Sequence, residues 1–148
     1  MYWITIDTDK LIREKESLLY TMQEIAKEFP FDPVSNKQVK RHFENFGIYL
    51  PDLRIFTLEC IAYRLHEEDD NYYLLTGLME YYKIKYLLRN YVNHVLKKQI
   101  DGLYHLREEG GKLLMQNKRP LPYSDVLLSC VTSTNVPEVQ SKLKKGNN

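Results

Sequence analysis

One stretch, Tyr72 to Ile100, constrains the fold of this chain more than any other. Apolar side chains recur through it at Leu75, Leu78, Tyr82, Tyr86, Tyr91, Val92, Val95 and Leu96, with no proline and a single glycine, Gly77. That spacing predicts a helix. At about 1.5 Å of rise per residue it would be roughly 40 Å long, enough to serve as a spine for shorter elements. From Tyr81 onward it carries Lys83, Lys85, Arg89, Lys97 and Lys98 and no carboxylate, whereas Glu67, Glu68, Asp69 and Asp70 stand together just before it. The net charge of the whole chain is only +1. Any surface for a polyanion therefore has to come from local segregation of charge, and this stretch is where the segregation lies.

The remaining segments read as shorter elements around that spine. Residues 2 to 6 are β-prone, and Asp7 or Thr8 can cap the helix that follows. Leu11, Leu18, Met22, Ile25 and Phe29 mark its apolar face, and it ends before Pro30. Ser35 and Gln38 have the spacing of a capping box for a second helix, which packs Val39, Phe43 and Phe46 and stops at Gly47 in a left-handed conformation. A third helix is predicted over residues 53 to 65 through Ile55, Leu58, Cys60, Ile61, Ala62 and Leu65. Past the long helix, Asp101-Gly102 turns the chain. Residues 103 to 106 and 112 to 115 flank Glu109-Gly110-Gly111 as a predicted hairpin. Pro120 and Pro122 open a loop, Val126 to Val131 is a candidate third strand, and Ser141 to Asn148 is expected to be a frayed, lysine-rich tail.

Several functions are disfavoured by what the sequence lacks. No nucleophile elbow, phosphate-cradling glycine loop or pair of catalytic carboxylates is present. The histidines at 42, 66, 94 and 105 have no ligand spacing with Cys60 or Cys130, so no metal or other cofactor is expected. Both cysteines sit among apolar residues and read as buried free thiols in a reducing cytoplasm. No run is long and apolar enough to span a membrane. Tyrosines 72, 73, 81, 82, 86 and 91 have the chemistry to stack on bases, but as a group they read better as core residues with the hydroxyl at the water boundary. His94, on the cationic stretch, reads as a solvent-facing or core residue.

Four segments, in order, resemble the thumb and palm entrance of the family A DNA polymerases of bacteria and phages. Ile6-Asp7 with Leu11 is similar to the family's Val/Ile-Asp-x-x-x-Leu at the start of the first thumb helix. Phe31-Asp32-Pro33-Val34-Ser35-Asn36-Lys37-Gln38-Val39, followed by Gly47-Ile48-Tyr49-Leu50-Pro51, resembles Phe-Asn-x-x-Ser-x-Lys-Gln-Leu and Gly-Leu-x-Leu-Pro. Residues 80 to 92 resemble Glu-Tyr-Arg-x-x-x-Lys-Leu-x-x-x-Tyr-Val, and Asp101-Gly102-Leu103-Tyr104-His105 resembles Asp-Gly-Arg-x-His. The family's arginine and lysine in the third segment fall on Tyr82 and Tyr86, and Val131 stands at the arginine of a further, blurred motif over residues 129 to 133.

The resemblance implies a mainly α fold, with an antiparallel helical thumb-like domain over 1–101 and a small β-containing extension over 102–140; composition adds a disordered basic tail over 141–148. It implies a DNA-binding role without catalysis, since the family's metal-binding palm aspartates and finger helix have no counterpart up to Asn148. Lys83, Lys85, Arg89, Asn90, Lys97 and Lys98 are the expected contacts to duplex or primer-template DNA, made to the phosphates and without sequence preference. The remaining domains of a polymerase are an implied partner. From a different class, the alternative expectation is a helical module that docks on a replication protein through its tyrosine-rich face.

Overall fold

The structure, a computed structural model, describes residues 1–121 and 125–146. Helices dominate: α1 (Thr8–Ala26), α2 (Asn36–Glu44), α3 (Ile55–Tyr63), α4 (Asp70–Leu87), α5 (Asn93–Lys98), a single turn α6 (Asp125–Leu128) and α7 (Pro137–Gly146). Strands β1 (Trp3–Ile6), β2 (Leu103–His105) and β5 (Val131–Thr134) form one antiparallel sheet in the order β2-β1-β5, and β3 (Arg107–Glu109) and β4 (Lys112–Leu114) form a separate hairpin. The chain divides into two compact units. One comprises residues 1–18 and 87–148, the other residues 19–86.

The unit of residues 19–86 is built on helix caps and an aliphatic and aromatic core. Ser35 Oγ accepts from the Gln38 amide at 3.2 Å, as the capping-box spacing predicts. The return leg differs: Gln38 Oε1 accepts from the Asp32 amide at 3.0 Å and not from Ser35, whose amide already donates to the Asp32 carbonyl. At the other end of α2, the Gly47 amide donates to Glu44 O and the Ile48 amide to Phe43 O, with Gly47 at φ +75°, which is a Schellman stop. Asp69 Oδ1 caps α4 by accepting from the Asn71 amide at 2.8 Å. Val39, Phe43, Leu50, Leu58, Ala62, Leu75 and Leu78 form the core, with Phe29, Phe31 and Tyr72 packed against it. Phe46, expected to pack with them, is exposed and instead lies 5.1 Å from the His42 ring. Cys60 is exposed as well. Helix α3 is apolar almost all round, so its sequence did not say which face the core would take.

The other unit centres on β1. Ile4 and Ile6 are buried and Trp3 and Thr5 half-buried, the two-residue alternation of a strand with one covered face. Asp7 follows and caps α1, its Oδ1 accepting from the Lys10 amide at 3.1 Å. The partners of β1 come from the far end of the chain: Ile4 lies opposite Tyr104 on one side and Thr134 on the other. At Thr5/Ile6 the register with β5 slips by one residue, leaving Thr132 as the extra residue of a bulge. The sheet thus draws a strand from the expected 1–101 segment and two from the expected extension.

Three expectations about this unit need correction. The hairpin forms from 107–109 and 112–114, not from 103–106, because Gly110 and Gly111 both take positive φ and close a two-residue turn. Leu103–His105 pairs with β1 instead. Val126 to Val131 is not one strand: residues 125–128 are helical, Ser129 Oγ donates to Val126 O at 2.7 Å, and β5 begins only at Val131. The tail expected from Ser141 is helical to Gly146, as part of α7, which starts with Pro137 at its first position. Asn147, Asn148 and Pro122 lie outside the described residues.

Candidate nucleic-acid interface

The stretch from Tyr72 to Ile100 is helical from Asp70 to Lys98, but not uniformly so: Leu88–Val92 is a π-turn between α4 and α5. A π-turn displaces the side-chain register by about one position and turns carbonyls away from the usual ladder. One of these carbonyls, Asn90 O, is met by the Asn117 side-chain amide at 2.9 Å. Ile100 is already past the helix, bridged to Leu103 across Asp101 and Gly102, both at positive φ.

Within the unit of residues 19–86, Lys83 and Lys85 are exposed near the end of α4. Within the other unit, Arg89 on the π-turn and Lys97 and Lys98 in the last turn of α5 are exposed. Lys27–Glu24, Arg54–Asp52 and Arg107–Glu109 form ion pairs, and none of them uses these five cations. Asn90, the sixth expected contact, is half-buried and held within the fold through its carbonyl.

The field of the two lysines on α5 registers on a neighbour. His94 has its pKa lowered below the usual 6.5, first by burial and then by Lys98 and Lys97. Its Nε2 lies 2.7 Å from the hydroxyl of Tyr104, which is fully buried, and the same hydroxyl takes the Gln116 amide proton at 2.7 Å. The Tyr104 hydroxyl thus joins the His94 ring and the Gln116 amide in one buried hydrogen-bonded cluster. The Tyr104 hydroxyl is correspondingly hard to ionise, its pKa pushed up to about 12 by burial. His94 is therefore a structural residue beneath a cationic surface.

The tyrosines divide between core and surface. Tyr81 and Tyr91 are buried, and the Tyr91 hydroxyl donates to Pro120 O at 3.2 Å. Tyr82 packs against the core of residues 19–86 and donates to Pro33 O at 3.4 Å, and its pKa is pushed up to about 12, by burial and then by Tyr81. Tyr73 and Tyr86 are exposed. Of the two positions where the resemblance expects phosphate contacts, Tyr82 is thus engaged in the core and Tyr86 reaches solvent.

Two concavities accompany these surfaces. A groove of about 160 Å³ between α1 and α4 is lined by Ile25, Glu28, Phe29, Tyr73, Thr76, Gly77 and Glu80. A broader cleft of about 620 Å³ lies between the β3–β4 hairpin and the start of α7, with Glu108, Lys112 and Glu138 among mostly apolar walls. Among the described residues, no group of three histidines, cysteines or carboxylates is placed to hold a metal, and no helix is long and apolar enough to cross a membrane.

Comparison with protein-family models, with curated proteins and with solved structures finds no match to this chain. One surface feature went unread in the sequence: the outward side of α3, where Phe56 and Tyr63 stand in solvent. Its signal was the scarcity of charge in that helix, whose single ionisable carboxylate is Glu59.

Proposed function

We propose that this chain is a non-catalytic, thumb-like DNA-binding module that grips duplex or primer-template DNA by its phosphates in the cytoplasm, as a part or relative of a family A polymerase. The observation that carries the reading is the set of five exposed cations, Lys83, Lys85, Arg89, Lys97 and Lys98, that make no ion pair among the described residues and lie on a stretch with no carboxylate from Tyr81 to Ile100. Cations already neutralised by neighbouring carboxylates gain little from a phosphate; these are free to displace the counterions condensed on DNA, and that release supplies affinity without sequence preference. The family patterns along residues 6 to 105 support the same reading.

The test is a duplex-binding titration at low salt with Lys83, Lys85 and Arg89 all changed to Gln. Three lost phosphate contacts predict affinity lower by about tenfold or more. Unchanged affinity would show that this stretch is not the contact surface.

A second reading, a helical module that docks on a replication protein, has its own support in exposed Tyr73 beside the partly apolar groove of Ile25, Phe29 and Gly77. Capture of such a protein at high salt, lost on Tyr73→Ser, favours it over DNA.

A further inference from the structure

The groove between α1 and α4 combines apolar walls with two carboxylates that no cation of the described chain neutralises. On α4 it is lined by Tyr73, Gly77 and Glu80, at i, i+4 and i+7 on one helical face; across from them stand Ile25 near the end of α1 and Glu28 and Phe29 just beyond it. All six belong to the unit of residues 19–86. Gly77 keeps the floor open, since a Cβ there would stand 3.1 Å from Phe29 Cε1 and 3.8 Å from Ile25 Cγ2. Ile25 and Phe29 are half-buried, whereas Tyr73, Glu28 and Glu80 are exposed. The groove is thus an apolar and aromatic trough with one carboxylate on each wall.

Its charge selects the occupant. Lys27, the nearest cation to Glu28 in sequence, pairs with Glu24 at 2.6 Å, and neither Glu28 nor Glu80 makes an ion pair among the described residues. Helix α4 carries no lysine or arginine from Asp70 to Tyr82. Two like charges on one trough favour a cation between them and repel the phosphates of DNA. At about 160 Å³ the groove is well below the roughly 300–1,000 Å³ of pockets for small-molecule ligands, which suits it to a single side chain. Of the cationic side chains, arginine matches every wall. Its methylenes lie on apolar surface, its planar guanidinium stacks on aromatic rings, and its five N–H donors reach carboxylates on two sides.

We propose that this groove is a binding site for an arginine side chain presented by an extended segment of a partner protein. The inference goes beyond the DNA reading and does not rest on it. It shares its groove with the docking reading; apolar docking there is indifferent to the two carboxylates, so the two readings fail separately.

The test is a nuclear magnetic resonance titration of the full, nitrogen-labelled chain at low salt with a short capped glycine peptide carrying one arginine. Amide resonances of residues 25–29 and 73–80 should shift and saturate in the millimolar range. The same peptide with lysine should bind several-fold more weakly, and one with norleucine should shift nothing. Glu28→Gln with Glu80→Gln, both at exposed positions, should weaken arginine binding by about tenfold with an unchanged circular-dichroism spectrum. Resonances that stay fixed overturn the proposal, as does a lysine or norleucine peptide that binds as tightly as the arginine one. So does a double variant that binds like the wild-type chain, or duplex DNA that shifts the same resonances by itself.

Discussion

Protonating His94 places a charge in a partly buried site beside two lysines, and this makes a single side chain visible in the pH dependence of stability. The folded-state pKa of His94 is lowered, by burial first and by Lys98 and Lys97 next, so below pH 6.5 the unfolded chain binds this proton more readily than the folded one. Its contribution is fully present above pH 6.5 and is lost as the pH falls through the window beneath that value. Thermal unfolding followed across this window should show the midpoint falling on acidification. His94→Gln, which keeps hydrogen-bonding capacity towards Tyr104 but does not titrate, should reduce the slope; parallel profiles for the two proteins would contradict the assignment. Gly102 offers a second check at this scale. It has φ +84°, and a Cβ there would stand 2.9 Å from the Ile6 carbonyl oxygen, on the same pair of residues whose Ile6 amide donates to Gly102 O at 2.7 Å. Gly102→Ala combines a disfavoured backbone conformation with a clash against backbone that cannot rotate away, and should cost about 2 kcal/mol or more in urea unfolding. An unchanged midpoint would mean that the turn relaxes freely.

Among the elements, helices were legible wherever the apolar period and a local cap agreed. Ser35 shows why: its donor partner lies three residues away, so the sequence contains the whole interaction. Ser35→Ala should lower the urea midpoint by the equivalent of about 1 kcal/mol with an unchanged slope; no change would show that Asp32 holds the turn unaided. Strands were legible only as propensity. Ile4 meets Tyr104 and Thr134 across most of the chain length, and no local pattern names such partners. The short apolar run at Val126 fits a buried helical turn as well as a strand, and Ser129, which closes the turn, gave no advance sign of doing so. The π-turn at Leu88–Val92 was equally unannounced, since no residue type demands one. For the candidate site, charge was readable and engagement was not. Lys83, Lys85, Arg89, Lys97 and Lys98 are exposed, while the contacts that Asn90 and Tyr82 make with Asn117 and Pro33 come from far along the chain.

For the molecule as a whole, a net charge of +1 means that attraction to a polyanion cannot come from bulk electrostatics. In the proposed function it comes from Lys83, Lys85, Arg89, Lys97 and Lys98, and such binding would have a signature that a protein-docking module lacks. The decisive measurement is the affinity for a duplex as a function of salt, for the wild-type chain and for a variant with these five residues changed to Gln. With five phosphates neutralised at roughly 0.9 counterion each, the logarithm of the association constant should fall against the logarithm of salt concentration with a slope of about −4.5, independent of duplex sequence. The variant should lose most of that slope along with most of its low-salt affinity. No binding by the wild-type chain at low salt, or the same slope in both proteins, would contradict the account.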